Sequence, residues 1–183
     1  DNPGSDTITT DEERGAALAV QHLVELGHTD IVHIDGAANI SSRARSRGYE
    51  KAMRSLGLEP RILRGGDDEA DAEAAIVDLA ETDSMPTAIF AFNDLVAAGA
   101  LSTLEAAGLR VPDDVSVVGY DNTFIAELNH MSLTTVNQPR HQMGQLAIRT
   151  VLERIEDDRT EPTRIDLAPT LSVRRSTAPP RKA

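Results

Sequence analysis

Polar side chains follow two of the predicted strands at the point where each strand ends. Asn93 and Asp94 come directly after one apolar strand, and Tyr120 and Asp121 come directly after the next. Ligands of open α/β sheets bind at this edge, beyond the carboxyl ends of the strands. Asn93 or Asp94 could instead cap the helix that starts at Leu95, because Asn and Asp side chains accept hydrogen bonds from unpaired backbone N–H groups. For Asp121 the structural alternative is an Asx-turn, and we expect a ligand contact there.

Three arginines stand two residues apart at the start of a predicted helix, at positions 43, 45 and 47. Side chains with this spacing diverge around a helix axis, so at most one or two of them can face one pocket. A solvated helix face is the alternative. If Arg45 lies beside Asp121 and Asn93, one fork of N–H donors and two oxygen acceptors would suit the neighbouring hydroxyl groups of a polyol. The pattern therefore favours a sugar-like ligand.

Few aromatic rings are available to stack on a ligand, since aromatic residues make up 3% of the chain. Near the same strand ends they are Phe90, Phe92 and Tyr120. Stacking on a ligand is one role for such rings. The alternative for Phe90 and Phe92 is a place in the apolar core.

The sequence lacks the motifs that several other kinds of functional site require. The chain has no Cys, which excludes disulfides, thiolate nucleophiles and metal sites built on thiolates. The five histidines do not have metalloprotease spacing, so no metal site is expected. Because dinucleotide, phosphate-loop and nucleophile-elbow motifs are also missing, we expect neither a cofactor nor catalysis. An α/β enzyme that uses Asp121 or Asp94 as a base remains a distant alternative.

Composition bounds the class of protein. The chain has 183 residues, of which 18 are basic and 30 acidic, giving a formal net charge of −12. This length suits one compact domain, or a small domain plus part of another. A strongly acidic chain repels the phosphate backbone, so we expect no direct nucleic-acid binding. The longest apolar stretch, residues 95–101, is far shorter than the roughly 18 residues that span a bilayer, so membrane insertion is not predicted.

Helical and strand patterns alternate along the chain, which predicts an α/β fold with a mainly parallel sheet. Thr10 and Glu13 have the spacing of a capping box at the start of the first helix. The predicted helices cover 11–26, 45–56, 70–80, 95–107 and 141–155. The predicted strands cover 31–34, 61–64, 87–92, 115–118, 133–136, 165–167 and 171–173.

Six segments in this order resemble the effector-binding domain of LacI/GalR-type transcriptional repressors, which is similar in fold to periplasmic sugar-binding proteins. The most specific are the Pro-Asp-Asp sequence at 112–114 and the Leu-Thr-Thr-Val sequence at 133–136. The matching segments are 22–28, 42–49, 86–94, 108–121, 133–139 and 173–177. The resemblance covers nearly the whole chain. It implies a parallel-sheet three-layer sandwich of the periplasmic-binding-protein-like type, with one complete lobe plus part of a second.

The resemblance also implies how the chain is divided. Residues 1–10 would cross over from a truncated first lobe, and 11–136 would form the second lobe. Residues 137–164 would contain the hinge and a helix that returns to the first lobe. Residues 165–176 would supply closing strands of the second lobe. From composition, we expect a flexible tail over 177–183 and a solvated charge run over 156–159.

The resemblance implies effector contacts at Arg45, Asn93 and Asp121, with Gln138 near the hinge and Phe90 as a stacking ring. It further implies a homodimer in which the helix over 95–107 and the segment 124–130 face the partner. The residues expected at that interface are Ala97, Ala98, Leu101, Phe124 and Leu128.

By the same resemblance, the function is that of a cytoplasmic regulator. A small-molecule effector, expected to be a sugar, would alter operator binding by a helix-turn-helix that lies outside this chain. The alternative is a secreted solute-binding protein of the same architecture. The sequence upstream of Asp1 would discriminate between the two.

Overall fold

The computed structural model describes residues 4–81, 85–156 and 159–181. Within these ranges helices and strands alternate, as the sequence predicts. The strands are β1 Thr7–Thr10, β2 Ile31–Ile34, β3 Arg61–Leu63, β4 Ala88–Ala91, β5 Ser116–Asp121, β6 Thr134–Asn137, β7 Arg164–Leu167 and β8 Thr170–Ser172. The helices are α1 Glu12–Glu25, α2 Ile40–Ser55, α3 Glu69–Glu81, α4 Asp94–Ala106, α5 Phe124–Glu127 and α6 Arg140–Glu156.

The central sheet has six strands in the order β3-β2-β4-β5-β6-β8. Its strands run parallel except β8, which pairs antiparallel with β6. Helices α1 and α2 bury their apolar sides on one face of the sheet, and α3 and α4 bury theirs on the other. The arrangement is the three-layer α/β sandwich that the sequence predicts, and it brings the carboxyl ends of β2, β4, β5 and β6 to one edge.

Local sequence explains most of these elements. The helix α1 buries Ala16, Ala19 and Leu23, whose spacing places them on one side of the helix. Its N-cap is Asp11, whose side chain accepts a hydrogen bond from the N–H of Arg14 at 3.0 Å. The capping box expected from Thr10 and Glu13 is therefore wrong by one residue. Because the Asp11 side chain accepts the hydrogen bond from the Arg14 N–H, Thr10 does not act as the cap and is instead the last residue of β1.

The strand β7 does not close the central sheet. It pairs in parallel with β1, residue Thr7 opposite Arg164, in a separate two-stranded sheet. Of the segment 165–176, expected to supply closing strands of the second lobe, β8 pairs with β6 in the central sheet and β7 lies in the separate sheet. The reason is non-local, since the partner of β7 lies more than 150 residues earlier in the chain.

The segment 177–181 is packed and hydrogen-bonded, contrary to the predicted flexible tail. The carbonyl oxygen of Ala178 accepts from Nε2 of the buried His28 at 2.9 Å. The backbone N–H of Ala178 donates to Oγ of Ser116 at 3.1 Å. Arg181 forms an ion pair with Asp114 at 2.6 Å. Residues 182 and 183 lie outside the described residues.

The predicted charge run at 156–159 is only partly solvated. Arg159 donates to Asp6 at 2.9 Å, and Arg154 donates to the same carboxylate at 2.8 Å. The hydrogen bond from Arg159 holds the pKa of Asp6 well below its usual value. These bonds tie the start of β1 to the end of α6. Residues 157 and 158 lie outside the described residues, and within the described ranges no helix is long and apolar enough to cross a membrane.

Candidate functional site

A concavity of about 760 Å³ lies at the carboxyl-end edge of the central sheet. Its walls come from the loop before α2, the first turns of α2, and the ends of β4, β5 and β6. The lining residues are Ala38, Asn39, Ile40, Ser41, Arg43, Arg45, Phe92, Asp121 and Gln138. Three of the five residues expected to bind a ligand, Arg45, Asp121 and Gln138, are therefore brought together in one pocket.

Arg45 is the buried centre of this pocket, with 4% of its surface exposed. Its Nη1 donates to the carbonyl oxygen of Phe92 at 2.6 Å, its Nε donates to Glu12 at 2.8 Å, and its Nη2 donates to Asp121 at 3.3 Å. The guanidinium carbon lies 3.6 Å from the centre of the Tyr120 ring and 4.6 Å from that of Phe92. A guanidinium has five N–H donors, so these three bonds hold it in place and leave two of its N–H groups outside them.

Asp121 is the last residue of β5 and has a φ of 102°, which is unusual for a residue other than glycine. Its Oδ1 accepts from Arg45 at 3.3 Å and from Nε2 of Gln138 at 2.5 Å. Both bonds end on the same oxygen, so a ligand would meet the carboxylate at Oδ2. Burial raises the pKa of Asp121, and the charge of Arg45 opposes that shift. Backbone strain and a perturbed carboxylate in one pocket are typical of functional sites.

Asn93 does not line the pocket. Its Oδ1 accepts from the N–H of Val96 at 2.8 Å, and its Nδ2 donates to the carbonyl oxygen of Asp67 at 3.1 Å. The side chain therefore caps α4, which is the structural alternative given above. Both ends of the amide are engaged, so the geometry gives no support to a ligand contact at Asn93.

Phe90 cannot stack on a ligand in this structure, because it is 0% exposed. Its ring stacks on His33 with centroids 4.6 Å apart, inside the core beneath α1 and α2. Phe92 lies one residue beyond the end of β4 and reaches the pocket instead. The correction has a simple cause, since Phe90 is inside a strand that is buried on both faces and Phe92 is just past it.

The three arginines separate as expected. Arg43 and Arg45 line the pocket, whereas Arg47 pairs with Glu13 at 3.0 Å on the surface. Only two of the three therefore face one site, which confirms the prediction from their spacing.

No sequence pattern pointed to Glu12, Asn39 or Ser41. Glu12 stands in the first turn of α1, where an acidic residue is usual because it stabilises the helix dipole. Asn39 caps α2, with Oδ1 accepting from Ser42 N–H at 2.8 Å, and Ser41 lies in the first turn. Asn39 and Ser41 were missed because the sequence predicts α2 to begin at 45, whereas the structure begins it at Ile40.

Four of the five expected interface residues reach the surface of α4 or α5. Phe124 is 76% exposed and Leu128 is 39% exposed. Ala98 and Leu101 are half-buried and line a second concavity of about 550 Å³. Ala97 is 0% exposed and packs against the sheet, so it cannot contact a partner in this structure. It lies on the core side of α4, one helical turn before Leu101, which packs against the same core with part of its surface exposed.

Two other features of the described residues bear on the choice of site. A groove of about 600 Å³ runs between the outer sides of α1 and α2, but it lies away from the strand ends. Its lining contains no buried charged side chain. Within the described ranges no group of three or more His, Asp or Glu side chains could hold a metal ion.

Comparison with known proteins identifies the family. The family model described as "Periplasmic binding protein-like domain" matches residues 20–177. The chain is 38% identical over 182 residues to the HTH-type transcriptional repressor PurR of Aliivibrio fischeri strain MJ11, covering 96% of this chain and 54% of the relative. It thus spans about half the length of the curated relatives it matches. These relatives are transcriptional repressors and not enzymes.

Solved structures show the same fold. A LacI transcriptional regulator from a Rhodococcus species superimposes with a TM-score of 0.92 at 37% identity, covering 97% of this chain and 66% of that one. A LacI family transcriptional regulator from Enterococcus faecium with bound ribose superimposes with a TM-score of 0.90 at 31% identity, covering 99% of this chain and 68% of that one. The chain therefore belongs to the periplasmic binding protein-like domain family, in the form found in the C-terminal part of LacI/GalR-type transcriptional repressors.

Proposed function

We propose that the chain is the ligand-sensing part of a LacI/GalR-type repressor, with its effector site at Arg45, Phe92, Asp121 and Gln138. The observation that carries the proposal is the contact of Arg45 with Asp121 at 3.3 Å at the edge where several parallel strands end. A buried arginine held by three acceptors is a preformed donor, and a carboxylate with one free oxygen is an acceptor beside it. Preformed polar groups in a concave site are typical of small-molecule binding.

The donors and acceptors of this pocket suit a sugar. Each sugar hydroxyl group both donates and accepts, so it can donate to Asp121 and accept from the spare N–H groups of Arg45. Phe92, a residue 7% exposed that lines the pocket, offers an apolar contact for the C–H face of a sugar ring. The similar Enterococcus faecium regulator holds ribose, which supports a sugar as the ligand class.

A purine base is the second candidate ligand. Phe92 lines the pocket and offers an apolar contact for a planar base. The amide of Gln138 and the carboxylate of Asp121 could pair with its ring edge. Because the chain is similar to repressors named PurR, a purine is included among the test ligands.

We further propose that the complete protein is a homodimer that binds operator DNA through a domain outside this chain. Effector binding would change operator affinity because the pocket closes differently in the two states of the protein. Couplings of this kind typically change affinity by about 5- to 150-fold. The surface of Phe124, Leu128 and Leu101 is proposed to face the second copy.

Isothermal titration of the full-length protein with ribose, cellobiose and hypoxanthine tests the site. We expect one of these compounds to bind, and Asp121→Asn to weaken its binding by about tenfold or more, since a charged hydrogen-bond acceptor is lost. The asparagine tolerates a positive φ, so the fold is retained. Asp113→Asn is the matched control, because Asp113 is an exposed aspartate paired with Arg110 away from the pocket.

Two results would count against the proposal. Unchanged affinity in Asp121→Asn would remove Asp121 from the site. Binding of hypoxanthine without binding of either sugar would replace the sugar by a purine as the ligand class.

A further inference from the structure

The two segments that connect the central lobe with β1 and with α6 meet beside the candidate site. One is the end of β1, at Thr10, and the other begins after β6, at Gln138. The hydroxyl group of Thr10 donates to Oε1 of Gln138 at 3.2 Å, and Nε2 of Gln138 donates to Asp121 at 2.5 Å. One amide side chain therefore contacts both the ligand-site carboxylate and the neighbouring segment.

A second route joins the same parts from the other side. Arg45 donates to Asp121 at 3.3 Å and to Glu12 at 2.8 Å. Glu12 is the first residue of α1, two positions after Thr10, so this route returns to the segment where the first one began. We call these five side chains, Thr10, Gln138, Asp121, Arg45 and Glu12, the crossover ring.

A change in the hydrogen bonds of Asp121 affects the other side chains of the crossover ring. Arg45 is buried, with 5% of its side chain exposed, and its two carboxylate partners are 14% and 27% exposed. If a ligand weakens the bond between Arg45 and Asp121, the buried guanidinium depends more on Glu12, because an unpaired buried charge is costly. If the ligand draws the carboxylate away from Gln138, the amide must find another acceptor or move with Thr10.

The elements at the ends of the ring are those outside the central sheet. β1 belongs to the two-stranded sheet with β7, and α6 begins two residues after Gln138 and packs on β1. A shift of Gln138 or Glu12 therefore acts where these elements join the central lobe.

We infer that Gln138 and Glu12 are positioning residues that transmit the state of the Asp121 carboxylate to β1 and to the start of α6. This rests on the proposed function, in which Asp121 is the group that meets the effector. It adds a route by which occupancy of the site would reach both connecting segments. Neither residue needs to touch the ligand for this role.

The test needs no ligand, so its outcome is independent of whether the ligand class is right. Amide hydrogen exchange of β1 and Asp11 is measured by NMR in the full-length protein, with and without Asp121→Asn. The N–H of Asp11 bonds to the carbonyl oxygen of Leu167 at 3.0 Å and reports on this junction. We expect Asp121→Asn to change these exchange rates by at least about threefold, as for coupled neighbours.

The same comparison is made in the double variant Glu12→Gln with Gln138→Leu, where we expect Asp121→Asn to leave these rates unchanged. The matched control is Glu13→Gln with Gln142→Leu, since Glu13 is the next residue after Glu12 on α1 and Gln142 is an exposed residue on α6, four positions after Gln138. In that control the response must persist. A purely structural role for Glu12 and Gln138 would shift the rates in the double variant but would leave the response to Asp121→Asn intact.

Two outcomes overturn the inference. One is an unchanged exchange rate on Asp121→Asn in the otherwise native protein. The other is a full response that persists in the double variant. If the double variant does not fold, Gln138→Leu alone carries the test, and its response must then fall to half or less of the native one.

Discussion

The carboxylate of Asp94 accepts two hydrogen bonds from Thr123, one from its backbone N–H at 2.6 Å and one from its hydroxyl group at 2.9 Å. Its other oxygen accepts from the hydroxyl group of Thr135 at 2.6 Å. The chain reaches Thr123 through Asp121, the last residue of β5, and Asn122, whose φ values are 102° and 50°. Asp94 therefore holds in place the strained turn that carries the candidate ligand carboxylate.

Asp94→Asn is expected to destabilise the protein by about 1–3 kcal/mol, because an amide NH2 group replaces one of the acceptor oxygens in a buried site. It should also weaken ligand binding through the displaced turn. Urea unfolding measures the first effect. Asp113→Asn, at an exposed position, should change stability by less than about 0.5 kcal/mol. Equal stability of the two variants would show that the turn does not depend on Asp94.

His33 makes stability depend on pH. Burial lowers its pKa from 6.5 to about 4. The unfolded chain therefore binds a proton below pH 6.5 that the folded protein does not bind until about pH 4, so this contribution to stability is present above pH 6.5 and lost as pH falls from 6.5 to about 4. The free energy of unfolding falls by about 3 kcal/mol over this range, because a difference of one pKa unit corresponds to about 1.4 kcal/mol.

His33→Phe keeps a ring against Phe90 and removes the titrating group. Urea unfolding at several pH values between 7.5 and 4.5 should give a shallower loss of stability for the variant than for the native protein. The comparison above pH 7 controls for lost packing and for the lost hydrogen bond from Nδ1 to the Phe90 carbonyl oxygen, 2.8 Å long. Identical pH dependence would contradict the assignment.

Removal of residues 177–183 is expected to destabilise the protein by about 2–3 kcal/mol, because the buried His28 and Ser116 lose their partner Ala178. Thermal unfolding measures the effect. The matched control is Arg181→Gln, which removes a surface ion pair with Asp114 and should cost less than about 1 kcal/mol. A truncated chain as stable as the full one would restore the flexible-tail prediction.

Phe124→Asp in the full-length protein should convert a dimer to a monomer, since a charge would enter an apolar interface. Sedimentation velocity measures the change. Leu56→Asp is the control, because Leu56 is also exposed, at 47%, but lies at the end of α2. A dimer that survives Phe124→Asp would place the interface elsewhere.

The chain alone should bind the effector at least about tenfold more weakly than the full-length protein, because a pocket between two lobes takes its exclusion of water from both walls. In the chain alone, hydrogen bonds between the ligand and the site would be exposed to water. Three such bonds, contributing at most about 0.5–1.5 kcal/mol each, do not offset an association cost of roughly 4 kcal/mol or more. Isothermal titration of the chain and of the full-length protein with the same sugar compares the two affinities. Affinities within tenfold would show that one wall carries the site.

The α6 helix supports the same expectation. Its Ile148, Val151, Leu152 and Ile155 are exposed in this chain. Apolar patches of this kind mark surfaces that contact another part of a protein. We propose that they pack against the first lobe in the full-length protein.

The sequence by itself determined the order of helices and strands, since hydrophobic periodicity and glycine stops act over neighbouring residues. It also located Asp121 at the carboxyl end of a strand, whereas Arg45, which lies within α2, followed from the run of arginines and the family resemblance. The family resemblance was confirmed by the comparisons, because its motifs are continuous segments of the chain.

Only the tertiary structure decided which side chains meet. Glu12 joins Arg45 across 33 positions, and His28 joins Ala178 across 150, so nothing in the adjoining sequence marks either pair. The same holds for β7, whose pairing with β1 left β8 alone to close the central sheet. Phe90 and Phe92 differ by two positions, yet one is sealed beneath two helices and the other lines the pocket. Burial and pairing depend on partners distant in the chain, and a local pattern contains no information about them.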